Sequence, residues 1–321
     1  MTDNNRMLAF GPIPSRRLGK SLGINNIPPK ICTYSCIYCQ VGRTLKMQVE
    51  RNAFYKPEEI FEEVKKKVRD AKTKKEPIDF LTFAPDGEAT LDINLGREIE
   101  LLKTLGIKIA VISNASLFFI QDVREDLKDA DWVSVKLDAI SDDVWHKIDR
   151  PHKHLKHKEI LEGIIDFSHN FKGELMTETM LIKGINDKPI ELKRIADFIV
   201  GLAPKKSYIS IPTRPPAEKT VQPPDEDTIN MAYQIFKKRG ITTECLIGYE
   251  GNAFAFTGNI EEDLLSITSV HPMREEGVKA FLKKAGADWS VIRKLIDDNK
   301  LVELEYGDRK FYIRKLSGKK H

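Results

Sequence analysis

Short apolar runs alternate with amphipathic segments along most of the chain. The apolar runs predict strands at 22–27, 78–83, 107–112, 132–137, 174–182 and 208–211. The amphipathic segments predict helices at 57–68, 94–105, 120–127, 142–148, 158–167, 189–200 and 225–238. Strands that alternate with helices pair in parallel through right-handed crossovers. The pattern therefore predicts an α/β fold, and we expect a partial (β/α)6 TIM-type barrel rather than a shallow open sheet.

The pattern changes after residue 259. Two helices are predicted at 273–284 and 289–299, and alternating residues at 301–306 and 310–316 predict a β-hairpin. A helix, a turn, a second helix and a hairpin follow one another in winged-helix domains. We therefore expect two domains, a partial barrel over 1–258 and a winged-helix domain over 259–321 that docks a substrate or a nucleic acid.

Composition limits the class of protein. The 321 residues are 41% hydrophobic and 31% charged, which suits a soluble protein with a substantial core. The net charge of +4 is too small to indicate a nucleic-acid partner by itself. No segment approaches the roughly 20 apolar residues of a membrane helix, so we expect no membrane partner. Three of the four cysteines are clustered, which is not a disulfide framework and favours a reducing cytoplasm.

The clustered cysteines are Cys32, Cys36 and Cys39. Thiolates so close in sequence can reach one metal centre, and a [4Fe-4S] cluster normally takes four of them. Three cysteines would leave one iron open to a small molecule. The alternative is a structural zinc site, which needs four ligands, and Cys245 stands alone.

Polar residues follow successive predicted strands, where α/β enzymes place their sites. Gly87 and Glu88 follow the second strand; a glycine lets a ligand approach the backbone, and a carboxylate can accept from an ammonium. Ser113 and Asn114 follow the third strand, and they suit either a ligand hydroxyl or carboxylate, or a helix cap.

Three further ionisable residues are candidates for catalysis. Lys136 and Asp138 lie on one face of the fourth predicted strand, and Glu178 lies near the end of the fifth. Charges that face a barrel interior need partners, so these residues belong either to a polar site or to an outward edge. We expect the polar site.

Two basic segments and one proline-rich segment complete the candidates. Arg16 and Arg17 either bind an anion or lie on the surface. Residues 150–158 form a dense basic run that is either a solvated loop or a phosphate contact. Residues 211–224 contain five prolines and follow a strand end, so we expect this stiff loop to cover the site.

The cysteine spacing, with the aromatic Tyr38 before the last cysteine, resembles the cluster loop of radical S-adenosylmethionine (SAM) enzymes. The resemblance extends over about 8–258 and includes the segments 11–23, 40–44, 86–91, 135–139 and 214–218. It points to the branch related to the archaeal wyosine synthase, which modifies a tRNA guanosine. Asp86 stands where that superfamily usually has the first glycine of its Gly-Gly-Glu motif.

The resemblance implies that Cys32, Cys36 and Cys39 hold a [4Fe-4S] cluster whose fourth iron binds SAM. One electron, supplied by a donor such as flavodoxin or ferredoxin, then cleaves SAM to a 5′-deoxyadenosyl radical that takes hydrogen from a substrate. The resemblance also implies SAM contacts for two further sites. Tyr38 would lie near the adenine, and Gly87 with Glu88 would hold the amine.

The substrate is the open part of this interpretation. No cysteine precedes Cys32, so the second cluster of the wyosine enzymes and their full reaction are not expected. We expect tRNA modification, or alternatively modification of a peptide, with the substrate docked through 260–321. A third alternative is an iron–sulfur redox sensor that binds DNA.

Overall fold

The computed structural model describes residues 7–247, 254, 256 and 258–315. Its strands are β1 (Ala9–Ser15), β2 (Gly19–Ile24), β3 (Ile31–Cys32), β4 (Lys46–Met47), β5 (Phe80–Phe83), β6 (Lys108–Ser113), β7 (Trp132–Lys136), β8 (Glu174–Met180), β9 (Lys206–Ser210), β10 (Thr243–Leu246), β11 (Met273–Arg274), β12 (Leu301–Tyr306) and β13 (Arg309–Arg314). Its helices are α1 (Pro57–Thr73), α2 (Leu95–Lys103), α3 (Gln121–Leu127), α4 (Asp142–Asp149), α5 (His157–Asn170), α6 (Pro189–Leu202), α7 (Glu226–Lys237), α8 (Ile260–Val270), α9 (Glu275–Ala285) and α10 (Ser290–Asp297).

One curled eight-stranded sheet forms the larger part of the molecule, in the order β1-β2-β5-β6-β7-β8-β9-β10. Strand β1 is antiparallel to β2, and the following strands pair in parallel. Helices α1 to α7 connect the parallel strands, with α4 and α5 in one crossover. Within the described residues the two edge strands do not pair with each other. The predicted partial (β/α)6 barrel is confirmed.

The alternation of each strand separates an outer from an inner core. On β6, Ile109 and Val111 are buried in the cluster that contains Ile60 of α1 and Leu95 of α2. The intervening Ala110 belongs to an inner cluster with Leu18, Trp132, Met176, Tyr208 and Leu246. Because successive side chains of a strand point to opposite faces, this inner cluster fills the barrel interior while the helices cover the outside.

The short strands β3, β4, β10 and β11 are absent from the sequence-based assignment, and so are two longer elements, β1 and α8. Strand β1 contains Pro12 and Pro14, and prolines are tolerated there because β1 is an edge strand. Helix α8 is capped by Asn259, whose side chain accepts a hydrogen bond from the backbone N–H of Glu262 at 3.2 Å. A proline-rich strand and a helix of mixed polarity give weak periodic signals.

The C-terminal unit comprises α8 to α10 and a three-stranded antiparallel sheet in the order β11-β13-β12. It has its own core, which includes Ile267, Phe281 and Leu295, and Ile13 of β1 packs against this core. The helices and the hairpin predicted for this region are present, and residue 316 of the predicted hairpin lies outside the described residues. The winged-helix classification and the division at 258/259 stay predictions. No helix of the described residues is long and apolar enough to cross a membrane.

Candidate active site

A cavity of about 360 Å³ lies at the carboxyl ends of the parallel strands. Its wall brings together ten of the residues that the sequence singled out, from five separate segments of the chain. The residues in the wall are Cys32, Cys36, Cys39, Tyr38, Gly87, Glu88, Ser113, Asn114, Lys136 and Glu178. Asp138 is not in the wall but contacts the Tyr38 hydroxyl directly behind it. The strand-end residues therefore form one site, as their positions predicted.

The cysteine loop is held from behind by the end of α4 and the residues that follow it. The backbone N–H groups of Ser35 and Ile37 donate to the carbonyls of Asp149 and Ile148, both at 3.0 Å. The carbonyl of Thr33 accepts from the N–H of His152 at 2.9 Å. Residues 33, 35 and 37 thus bond to 148–152, whereas residues 32, 34, 36 and 38 line the cavity. The loop presents one face to the cavity and the other to this segment.

The three thiols have few polar neighbours. The Sγ atom of Cys36 donates to the Oδ1 atom of Asp149 at 3.3 Å, and the amide of Asn114 lies 3.5 Å from the Sγ atom of Cys32. Desolvation, reinforced by the Glu88 carboxylate, raises the pKa of Cys32 to about 12. Within the described part of the chain, no three His, Cys, Asp or Glu side chains stand ready-arranged around a single metal ion. Cys245 lies in β10, outside the wall.

Glu88 is buried and is held by the residues around it. Its Oε1 atom accepts from the hydroxyls of Ser113 and Thr90 at 2.7 Å and from the N–H of Thr90 at 3.1 Å. Its Oε2 atom accepts only from the N–H of Asn114, at 2.7 Å, among the described residues. Desolvation raises the pKa of Glu88, and these hydrogen bonds oppose that rise. Since a carboxylate oxygen has two lone pairs, Oε2 keeps one acceptor position for a ligand.

Ser113 and Asn114 therefore position Glu88 in addition to lining the cavity. Asn114 also donates through its side-chain amide to the hydroxyl of Thr33 at 2.8 Å. Its Oδ1 atom accepts from the N–H of Ser116 at 2.9 Å, which forms a local turn rather than a helix cap. No helix begins there, because α3 starts at Gln121, and the ligand-binding alternative stays a prediction.

Gly87 lets the loop after β5 approach the cysteine loop. A Cβ atom at this position would lie 1.9 Å from the carbonyl oxygen of Ile31, so only glycine fits. The N–H of Glu88 donates to the same carbonyl at 3.3 Å. Beside them, the ammonium of Lys30 pairs with the carboxylate of Asp86 at 3.3 Å, and both side chains are buried. Asp86, in the place of the usual glycine, thus adds an ion pair between the two loops.

Lys136 and Glu178 form a charged network on the other side of the cavity. Glu178 accepts from Lys136 at 3.3 Å, from the Ser210 hydroxyl at 3.0 Å and from the guanidinium of Arg17. Desolvation disfavours the charged form of Glu178, but Arg17 and Lys136 outweigh it and lower its pKa to about 2. Lys136 also lies over the ring of Tyr38, 5.0 Å from the centroid. These charges face the cavity and have partners, as we expected.

Asp138 lies behind Tyr38 and supports this network. It accepts from the hydroxyl of Tyr38 and from the N–H of Met180, the latter at 2.7 Å. Desolvation raises the pKa of Asp138, although the Lys136 ammonium 3.9 Å away opposes the rise. Asp138 therefore fixes the Tyr38 ring and β8 rather than facing the cavity itself.

The sequence did not identify His271 as part of the wall, and it gave Arg214 no role beyond its place in the covering loop and in the segment 214–218. Arg214 belongs to the proline-rich loop and donates to the side chain of Gln40 at 2.6 Å. His271 follows α8 and lies 3.2 Å from the Arg214 guanidinium. The same loop contacts the cysteine loop, because the N–H of Glu218 donates to the carbonyl of Ile37 at 3.0 Å. The loop thus covers the site, and the C-terminal unit contributes to its wall.

Known proteins resemble this chain in sequence and in fold. The family described as Radical SAM superfamily matches residues 26–197. The UPF0026 protein MJ1312 of Methanocaldococcus jannaschii is 47% identical over 314 residues, which cover 97% of each chain. A radical SAM methyltransferase from Sphaerobacter thermophilus has a similar structure, with a TM-score of 0.55 and 15% identity over 71% of this chain and 66% of the other. A structure of TYW1 with a lysine–pyruvate adduct has a TM-score of 0.49 and 20% identity over 68% of this chain and 73% of the other.

Proposed function

The chain belongs to the radical SAM superfamily, and from this premise we propose that Cys32, Cys36 and Cys39 hold its cluster beside a bound SAM. The protein is an enzyme of the radical SAM class, whose cofactors are a [4Fe-4S] cluster and SAM. The donor set suits such a cluster, because the described wall contains three thiols on one loop and no fourth. When bound and reduced, the cluster supplies the electron that cleaves SAM to methionine and a 5′-deoxyadenosyl radical.

One observation carries this proposal: the three thiols share a cavity with Gly87 and with the open acceptor position of Glu88. We assign the SAM amine to the Oε2 atom of Glu88 and the surrounding backbone of Gly87. Ser113 and Asn114 orient that carboxylate through their 2.7 Å hydrogen bonds. Tyr38, fixed by Asp138, provides an aromatic wall for the adenine.

The charged network of Arg17, Lys136 and Glu178 lines the same cavity. We propose that it positions the substrate group from which hydrogen is taken. The ammonium and guanidinium are donors for a polar substrate, and Glu178 keeps them in place in its ionised form. Asp138 then acts as a positioning residue through Tyr38.

We propose a tRNA as the substrate, docked on the C-terminal unit as a winged-helix domain. Two features support this. His271 belongs to the C-terminal unit and lines the cavity, so a molecule bound to this unit lies beside the reaction centre. The unit also exposes basic side chains, among them Lys279, Lys283, Arg309 and Lys310, which suit phosphate contacts.

Anaerobic reconstitution tests the chemistry. We expect about four irons per chain, from the composition of the cluster, and release of 5′-deoxyadenosine from SAM under dithionite. Replacement of Cys32, Cys36 and Cys39 by alanine is expected to abolish both iron uptake and cleavage. Cys245→Ala is the matched control and should retain both. An intact cluster in wild-type protein that leaves SAM uncleaved would refute the proposal.

A further inference from the structure

The basic run 150–158 is a feature that the proposed function does not use. Its nine residues include four Lys or Arg, three His and no acidic residue. Arg150, Lys153, His154, Lys156 and Lys158 are exposed. Lys156 and Lys158 pair along α5 with Glu159 and Glu162 at 2.7 and 3.8 Å, and Arg150 pairs with Glu218 of the proline-rich loop at 2.5 Å. Exposed pairs contribute little binding energy, and the four Lys and Arg of the run outnumber these three carboxylates, so the face stays basic.

This run lies directly behind the cysteine loop. Its first residues bond to the loop backbone, since the N–H of Ser35 lies 3.2 Å from the Arg150 carbonyl and His152 donates to Thr33. No residue of 145–158 lines the described cavity. The face is therefore close to the cluster-binding residues yet separated from the space where a substrate reacts.

Aromatic side chains connect the run to the loop. The ring of His157 stacks on that of Trp145, with centroids 4.5 Å apart and planes 5° apart. The indole N–H of Trp145 donates to the Tyr34 hydroxyl at 3.2 Å. Tyr34 lies between Cys32 and Cys36 in the loop and lines the cavity with them. Three rings in contact therefore connect the basic run to the cluster loop.

We propose that the face formed by Arg150, Lys153, His154, Lys156 and Lys158 docks an acidic one-electron carrier protein. Opposite charge accelerates such an encounter and orients the partner, and the effect weakens as salt screens it. The carrier loses one electron and the cluster gains it, with no bond formed or broken. A carrier docked here approaches the cluster without obstructing the substrate. RNA also binds basic faces, but it would be held away from the cavity here.

The inference rests on the proposed function, and the choice of reductant separates the two. Dithionite needs no docking face, so dithionite-driven SAM cleavage by the wild-type protein tests the proposed function alone. An acidic flavodoxin, reduced by its reductase and NADPH, tests the face. We expect flavodoxin-driven cleavage by the wild-type protein to fall steeply between low and moderate ionic strength.

The combined variant Lys153→Glu, Lys156→Glu, Lys158→Glu is the main test. Flavodoxin-driven cleavage should fall about tenfold or more at low salt, whereas dithionite-driven cleavage should stay at the wild-type rate. Calorimetric titration with oxidised flavodoxin should show correspondingly weaker binding, with or without the cluster. A matched control variant carries three substitutions on the outer helices, Lys193→Glu, Lys237→Glu and Lys238→Glu. It should cleave SAM at the wild-type rate with either reductant.

Replacing the same three lysines of the basic face by glutamine protects the test against misfolding. In this milder variant the rate of flavodoxin-driven cleavage should also fall, but by a smaller factor. The inference is overturned if flavodoxin binds and reduces these variants as well as it does the wild type. It is equally overturned if the substitutions weaken tRNA binding alone, since the face would then belong to RNA.

Discussion

The hydroxyl of Ser113 donates to the Oε1 atom of Glu88 at 2.7 Å across the buried ends of two neighbouring strands. This bond and the one from the Asn114 N–H stabilise the ionised carboxylate, whereas desolvation opposes ionisation. The pKa of Glu88 is raised on balance, so its charge depends on keeping these donors. A ligand ammonium needs the charged form.

Ser113→Ala is expected to weaken SAM binding. A hydrogen bond to a charged group contributes about 1.5–3 kcal/mol, so the Kd for SAM should rise by about one order of magnitude or more. Affinity should increase as pH rises through the Glu88 pKa, and the variant should need a higher pH than the wild type. Titrations of the anaerobic protein with SAM at several pH values measure this. The control is Ser134→Ala in β7, where the buried hydroxyl lacks a hydrogen-bond partner among the described residues. Equal pH midpoints for the Ser113 variant and the wild type would contradict the assignment.

Gly87→Ala is expected to separate the two loops of the cofactor site. The added Cβ atom would lie 1.9 Å from the Ile31 carbonyl, so the backbone must shift next to Cys32. We expect a lower iron content after reconstitution, weaker SAM binding and a reduced Tm. Gly201→Ala in α6 is the control, since a Cβ there meets no atom within 4 Å and alanine favours a helix by up to about 1 kcal/mol. Wild-type iron content and SAM affinity in the Gly87 variant would show that this close approach is dispensable.

The barrel and most of the site were predictable because their signals are local. Alternation identifies β5 to β9 within a few residues, and parallel pairing then places Gly87, Ser113, Lys136 and Glu178 at one edge of the sheet. Strand β1 was not predicted because its prolines are typical of loops. They are tolerated only because the strand has one neighbour in the sheet.

The ion pairs and contacts between side chains from distant parts of the chain were not predictable from the local sequence pattern. Arg17 reaches Glu178 over a separation of 161 positions, and nothing near Arg17 in sequence distinguishes it from a surface arginine. The ion pair of Lys30 and Asp86 likewise joins two loops that only the folded sheet brings together. His271 lies at the end of α8, a helix absent from the sequence-based assignment, so its place in the wall had no signal.

Glu178→Gln is expected to remove the ion pairs that hold Arg17 and Lys136 in place and so to destabilise the protein. Breaking a buried ion pair costs about 3–5 kcal/mol, and glutamine keeps the shape while it removes the charge. The pKa of Glu178 is lowered to about 2, so its stabilising charge is fully present above the ordinary carboxyl pKa and is lost as pH falls towards 2. The stability difference between wild type and variant should therefore shrink between about pH 5 and pH 2. Denaturant unfolding across that pH range measures the stability difference. A difference that does not change with pH would show that the charge of Glu178 is not its source.

His271→Ala is expected to change substrate coupling rather than cofactor binding. The imidazole lies in the cavity wall beside Arg214 and belongs to the C-terminal unit rather than to the loops that we assign to SAM. Its removal opens this wall and frees the guanidinium from a contact of 3.2 Å. We expect SAM affinity near the wild-type value, with product formed per 5′-deoxyadenosine falling about tenfold because the substrate is held less firmly. His169→Ala, on the exposed end of α5, should leave the ratio unchanged. If the His271 variant keeps the wild-type ratio with tRNA substrate, the C-terminal unit docks substrate without shaping the reaction cavity.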